Sequence, residues 1–343
     1  MIRNATKLLA QIRAIHAAIR DAAMAACEEQ TDTASAETND NTIVAFDRQF
    51  EKVLLDRFTA LAREWSFVLV AKGLGPNGRA LLPEGTRADQ AELRIIVDPI
   101  DGTRGLMYQK RPGWVLTGVA PNRGPLTSLV DIELAVMTEV PLIKQHLSDQ
   151  LWALAGQGAA GERLNRLTGE TQRLAPQPSR AASIAYGYGS IARYFPGARD
   201  VLAAIEEELI DRLLGPQPAG GAQVFEDQYI STGGQLYELM IGHDRWVADL
   251  RPIVEPILRD RGHALGLCCY PDDICVELIA REAGVIVADA HGHALDALLD
   301  VSTPVAWVGY ANRRIYDQVT PTLRTLLAER GLLPKGSISP TAL

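Results

Sequence analysis

The sequence predicts a mixed α/β protein, and three observations carry that prediction. Apolar residues recur at helical spacing near both ends of the chain. Between them, several short β-branched and apolar runs follow one another closely, which favours a mixed or antiparallel sheet. One such run, Arg94-Ile95-Ile96-Val97, leads straight into Asp98-Pro99-Ile100-Asp101-Gly102-Thr103-Arg104. It reads as a buried strand ending in a turn that opens a helix.

Taken in order, Leu8, Leu9, Ile12, Ile15, Ile19 and Met24 mark an amphipathic helix from about Ala5 to Glu29, and the polar stretch Gln30 to Asn41 reads as a loop. Phe46, Phe50, Val53, Leu54, Phe58 and Leu61 give a second helix over Phe46 to Trp65. Phe67 to Ala71 is a strand, and Lys72-Gly73-Leu74-Gly75-Pro76-Asn77-Gly78 is a turn-rich loop. After the aspartate turn, Trp114 to Ala120, Leu129 to Thr138 and Leu151 to Ala155 read as strands. Gly215 to Gly221 is the joint between two halves, residues 1–214 (α+β) and 215–343 (α/β). In the second half, Ser231-Thr232-Gly233-Gly234 precedes a helix from Gln235 to Gly242, and Gly284 ends a helix over Ile274 to Ala283.

Composition bounds the function. At 343 residues, with 47% hydrophobic and 22% charged, the chain can bury a large core, which excludes disordered and fibrous classes. A net charge of -8 disfavours a nucleic-acid polymer or an anionic membrane as partner. The four cysteines (Cys27, Cys268, Cys269, Cys275) contain no C-x-x-C, which fits a reducing cytoplasm, and no apolar run reaches membrane-spanning length. The expected compartment is therefore cytoplasmic.

The chemistry concentrates at the aspartate turn. Two carboxylates at a strand end are costly unless neutralised, and a hard divalent cation such as Mg²⁺, which takes oxygen ligands, neutralises them. Backbone N–H groups at Gly102 and Thr103 face the same spot and can hold a phosphate oxygen. Elsewhere, Gly187-Tyr188-Gly189 lacks the context of a dinucleotide fold, and His291-Gly292-His293 reads as a polar turn rather than a chelate.

Asp98-Pro99-Ile100-Asp101-Gly102-Thr103 behind a β-branched strand resembles the metal-binding signature of the inositol monophosphatase family. That family belongs to a superfamily with fructose-1,6-bisphosphatases and 3′(2′)-phosphoadenosine phosphatases. Pro271-Asp272-Asp273-Ile274-Cys275 through Glu282-Ala283-Gly284 is similar to its second signature, with Pro271 where the family has tryptophan. Counting back from Glu282-Ala283-Gly284 selects Asp272 as ligand; the helix start and the small Cys275 suit Asp273, which this reading prefers. Asp47 is similar to an early acidic residue near the family's metal site, and Leu151 to Ala159 to its strand and Gly-x-Gly-Ala turn. Ser231 to Gly234 and Trp246 to Arg251 sit where the family has substrate-facing segments.

The resemblance implies a layered α/β/α/β/α sugar-phosphatase fold and Mg²⁺-dependent hydrolysis of a small phosphorylated metabolite, with two or more metal ions. It assigns metal ligands to Asp98, the Ile100 carbonyl, Asp101 and Asp272 or Asp273, and catalysis to Asp101, Thr103 and Asp47. Substrate contacts fall to Gly102, Thr103, Gly233, Asp249 and Arg251. It also implies a homodimer, which the residues themselves neither support nor oppose. One departure stands out: the family carries a metal-ligating glutamate where this chain has Lys72, which would pair with Asp98 or Asp101 or swing outward. Glu84 is the candidate for the missing carboxylate. The alternative is a non-catalytic relative that binds a phosphorylated small molecule. Inositol phosphate, fructose 1,6-bisphosphate and a phosphoadenosine nucleotide all remain open as substrates.

Overall fold

The computed structural model of the protein describes residues 1–30 and 40–334. Two helices, α1 (Ala5–Gln30) and α2 (Asp40–Leu61), precede β1 (Phe67–Val70), β2 (Arg79–Leu82) and β3 (Leu93–Asp101). A short α3 (Thr103–Met107) leads to β4 (Gly113–Pro121), β5 (Leu134–Val140), β6 (Leu147–Leu154), β7 (Ala159–Asn165) and β8 (Thr171–Leu174). These strands make an eight-stranded sheet in the order β2-β1-β3-β4-β5-β6-β7-β8. Only the β1–β3 pair is parallel.

The chain then supplies β9 (Gly187–Ile191), α4 (Arg199–Leu214), β10 (Val224–Phe225), α5 (Thr232–Ile241), β11 (Asp244–Asp249) and α6 (Glu255–Asp260). After these come α7 (Pro271–Ile274), α8 (Glu277–Ala283), β12 (Ile286–Ala288), β13 (Trp307–Tyr310) and α9 (Arg313–Glu329). The second sheet has the order β10-β9-β11-β13-β12.

Alternation along the strands builds three apolar seams. Ile95, Val97, Leu134 and Val136 face Leu8, Ile12 and Ile19 of α1 and Phe50, Leu54 and Phe58 of α2. Their neighbours Ile96, Ala135 and Met137 face the other way, packing with Leu236 and Leu239 of α5, Leu278 and Ile279 of α8, and Val247 and Trp307 of the second sheet. The far side of that sheet, with Trp246, Ala248, Val308 and Tyr310, packs on Leu202 and Ile205 of α4 and Ile315 and Val319 of α9. The result is five layers, α/β/α/β/α. Burying each such side chain contributes roughly 1.5–3 kcal/mol, so the seams dominate the stability.

A histidine interrupts α1's buried face. His16 is fully buried, its Nε2 2.7 Å from Thr117 Oγ1 and its Nδ1 3.0 Å from Thr138 Oγ1. Burial pushes its pKa down to about 3, so it stays neutral. Among the described residues, no helix is long and apolar enough to cross a membrane.

Several elements differ from the sequence reading. The loop expected over Gln30 to Asn41 falls mostly on residues outside those described, and α2 already runs at Asp40. The strand expected from Leu129 begins only at Leu134, after a 3-10 turn over Leu129–Asp131. The helix over Ile274 to Ala283 is two pieces, because the backbone leaves helical geometry at Val276, with φ near -98° and ψ near 10°. The first sheet presses on that break: a Cβ at Gly118 of β4 would meet the Cys275 carbonyl at 2.7 Å. The change of sheet falls between Leu174 and Gly187, ahead of Gly215 to Gly221, which links α4 to β10 within the second sheet's layers.

Candidate metal and phosphate site

At the end of β3, the register against β4 shifts between Asp98 and Asp101. In an unbroken strand residues three apart point to opposite faces; the irregularity at Pro99 and Ile100 brings both carboxylates to one side. Asp98 Oδ1 accepts the Ile100 N–H at 3.1 Å, which pins the turn. Gly102 follows in the left-handed region (φ 83°), where a Cβ would also lie 3.0 Å from Ser231 Cβ. Thr103 opens α3 and its Oγ1 donates to the Ile100 carbonyl at 2.8 Å.

The N-terminus of α5 meets this turn from the other sheet's side. Ser231 caps α5, accepting the Gly234 N–H at 2.8 Å, and donates its own hydroxyl to Asp101 Oδ2 at 2.8 Å. Gly233 N–H donates to the same oxygen at 2.6 Å. A Cβ at Gly233 would lie 2.7 Å from Leu116 Cδ2 and 3.1 Å from Asp101 Oδ2, so only glycine lets the helix come this close. Gly233, expected to face substrate, instead holds Asp101.

The third contributor is the start of α7. Asp273 Oδ2 accepts the Tyr270 N–H at 2.7 Å, as a helix-capping carboxylate does. Oxygens of Asp98, Asp101 and Asp273 all lie within 4.8 Å of one another, a set able to hold a metal ion. Of the two aspartates the sequence left open, Asp273 is the one in this set. Asp272 is fully buried behind it, with neither oxygen given an aligned hydrogen-bond donor among the described residues.

Lys72 points into this cluster. Its Nζ lies 2.8 Å from Asp273 Oδ1 and 3.0 Å from Asp272 Oδ2, and 5.3 Å from the centre of the Tyr270 ring. Neither an outward swing nor direct pairing with Asp98 or Asp101 is observed, because two α7 carboxylates reach the ammonium first. Burial alone would lower the lysine pKa, yet Asp273, Asp272 and Asp98 together hold it well above the ordinary value.

The carboxyl groups of Asp98, Asp101 and Asp272 are held upward. Burial and then the neighbouring Asp273, Asp272 and Asp101 raise Asp98 well above the usual range, against Lys72, which lowers it. Asp101 is pushed up to about 7 by burial and Asp273, against the donors Gly233 and Ser231. Asp272 also reaches about 7, through burial and Asp273, with Lys72 opposing. So much negative charge in low dielectric fits a further cation, and an all-oxygen donor set suits a hard one.

The cluster forms the floor of a cavity of about 660 Å³. Asp98, Ile100, Asp101, Gly102, Thr103 and Asp273 line it together with Lys72, and Tyr194, Phe195, Ile230, Leu267 and Arg251 complete the lining. The Arg251 guanidinium stacks over Tyr194 and Phe195, 4.7 and 5.5 Å from the ring centres. Asp249 is fully buried and does not reach the cavity; its Oδ1 accepts Arg251 Nε at 2.8 Å and so aims that side chain. Glu84 is exposed in the loop after β2, outside the cavity lining, and supplies no carboxylate to the cluster. The expected replacement ligand fails because that loop follows the sheet's edge strand, away from the β3 end. Asp47 lies on α2 at a position whose side chain is outside the described residues.

Sequence reasoning missed the hydroxyl of Ser231 as a partner of Asp101, and the roles of Tyr194, Phe195 and Tyr270. A helix-capping serine was the one readable signal; the aromatic residues carry none, since their place depends on how the layers stack.

Neither a protein-family model nor a curated protein sequence matches the chain. Solved structures do. Fructose-1,6-bisphosphatase of Leishmania major superimposes with a TM-score of 0.63 at 12% identity, over 96% of this chain and 96% of its own. SuhB of Mycobacterium tuberculosis gives 0.59 at 15% identity, over 95% and 98%. Inositol monophosphatase II of Staphylococcus aureus gives 0.57 at 13% identity, over 93% and 97%. The chain has the fold these proteins share, along essentially its whole length.

Proposed function

We propose that the protein is a Mg²⁺-dependent phosphomonoesterase acting on a small phosphorylated metabolite in the cytoplasm. The observation that carries this reading is the Asp98–Asp101–Asp273 cluster beside the Gly102–Thr103 turn, on the floor of one cavity. Asp98, Asp101, Asp273 and the Ile100 carbonyl would hold the metal. Bound there, Mg²⁺ polarises a phosphoryl oxygen and lowers the pKa of a water.

The chain's own residues do the rest. Gly102 and Thr103 N–H groups bind phosphate oxygens, and Thr103 orients the attacking water in line with the leaving oxygen. Ser231 and Gly233 fix Asp101 so that one oxygen faces the cavity. Tyr194, Phe195 and Arg251 wall the leaving-group side. The names of the similar structures make inositol phosphates and fructose 1,6-bisphosphate the first substrates to try.

The rival reading, a non-catalytic binder of phosphorylated small molecules, draws its support from Lys72, an ammonium inside the carboxylate cluster. Phosphate release from a panel of phosphomonoesters, with Mg²⁺ titrated and an EDTA control, separates the two. Metal-dependent release on one substrate establishes the enzyme; silence from folded protein in excess Mg²⁺ establishes the binder.

A further inference from the structure

Building on the metal-dependent reading of the same cluster, we propose that the Lys72 ammonium is a fixed cation of this centre. It fills the place of a second metal ion, so that the site takes one divalent ion rather than the two or more implied by the family resemblance.

Asp273 gives Oδ1 to Lys72 and Oδ2 to the Tyr270 N–H, so both its oxygens already have partners. Asp98 Oδ1 is turned to Ile100 N–H, and Asp101 Oδ2 to Ser231 and Gly233. Asp98 Oδ2 and Asp101 Oδ1 remain for a ligand, with Asp273 Oδ1 shared between the ion and the lysine. That is the donor set of a single ion. On the other flank, Asp272 is fully buried, and among the described residues the cation in contact with it is Lys72, at 3.0 Å.

Charge gives the same count. Four carboxylates (Asp98, Asp101, Asp272, Asp273) face one ammonium; one divalent ion brings the group to a single net negative charge, and a second would overshoot to positive. An ammonium has three N–H donors. One is donated to Asp273 Oδ1, and Asp272 Oδ2 lies 3.0 Å from the nitrogen as an ion-pair partner, which leaves N–H capacity for the cavity that Lys72 lines, where a phosphate oxygen would sit.

The test counts ions without asking for catalysis. Mn²⁺ is titrated into the metal-free full chain by calorimetry, with free Mn²⁺ read by electron paramagnetic resonance. The wild type should bind one ion per chain, and Lys72→Met two, because removing the ammonium strips Asp272 of its cation and opens the place it filled. Should the methionine variant not fold, Lys72→Gln is read the same way. Two ions in the wild type, none in the wild type, or an unchanged count in the folded variants would each overturn the proposal. A wild type that binds one ion yet releases no phosphate from any substrate sinks the phosphomonoesterase reading alone; one that releases phosphate with two ions bound sinks only the present proposal.

Discussion

One methyl group at position 233 would disturb the centre. Gly233→Ala must push Leu116 or Asp101 aside, and overpacking of this kind costs about 1–3 kcal/mol. The variant should melt earlier and also bind Mn²⁺ more weakly; an unchanged metal affinity would show that α5 does not position Asp101. Asp101→Asn should lower turnover on the order of a thousandfold, as loss of several kcal/mol of charge stabilisation does, and leave the melting curve cooperative. Turnover near wild type in that variant would remove Asp101 from the reaction. Asp98 and Asp101 were readable from sequence because strand, turn and both carboxylates are contiguous there. Ser231 and Gly233 were placed near the site only through the resemblance, and their hold on Asp101 was not readable, since that contact spans 130 and 132 residues and leaves no local pattern. Lys72 was recognised as out of place, but its partners were misassigned, because nothing in the sequence says that α7 presents both of its aspartates to it.

Among the elements, α5 ties the two sheets together through its cap. Ser231→Ala removes both the cap and a donor to Asp101, at a cost of about 1 kcal/mol for the cap alone. Ser231→Thr keeps the hydroxyl and should stay near wild type, which chemical denaturation of the pair would check. A second tie is Glu282 of α8, whose two carboxylate oxygens accept the N–H groups of Gly156 and Gly158, each at 2.7 Å, in the turn between β6 and β7. Glu282→Ala should cost roughly 1.5–3 kcal/mol, the range for hydrogen bonds to a charged group. A denaturation midpoint unchanged from wild type would deny the clamp. Legibility at this scale followed burial. α1, β1, β3 and β4 carry apolar residues at the right period and were found close to their limits. β7 and β8 are half-exposed and polar, so no alternation marks them. α7 and α8 read as one helix because the break answers to Gly118 across the interface, not to a local breaker.

For the molecule as a whole, the mixed α/β class was legible from periodicity, whereas the five-layer stacking came only through the resemblance carried by the two aspartate segments. Layer order depends on which faces meet, and a single sequence states that only where chemistry forces it. The contribution of His16 to global stability should depend on pH, with a sign opposite to that of Asp98, Asp101 and Asp272, whose raised pKa values favour the fold as they take up protons. The histidine's folded pKa is about 3 against 6.5 unfolded, so between those values only the unfolded chain takes the proton. The stabilisation is complete above pH 6.5 and is lost as pH falls through that window. From pH 6.5 to 5 the loss should approach about 2 kcal/mol, at about 1.4 kcal/mol per pH unit. His16→Gln, which keeps a hydrogen-bonding side chain, should lack this contribution, so the stability difference between wild type and variant should shrink from pH 7 to 5. Parallel melting curves would remove His16 as the source.

The two sheets are bordered by β2 and β8, and by β10 and β12, and these borders are short: four, four, two and three residues. An open edge offers unpaired N–H and C=O groups to any passing strand, and proteins guard against this with brevity, charge and proline. Here β8 turns the side chains of Thr171, Gln172 and Arg173 to solvent, and Pro83, which has no N–H to offer, directly follows β2. A chain this rich in sheet is thereby shielded from templating its own aggregation along the borders. Replacing Gln172 and Arg173 by valine would remove that protection where it is thinnest.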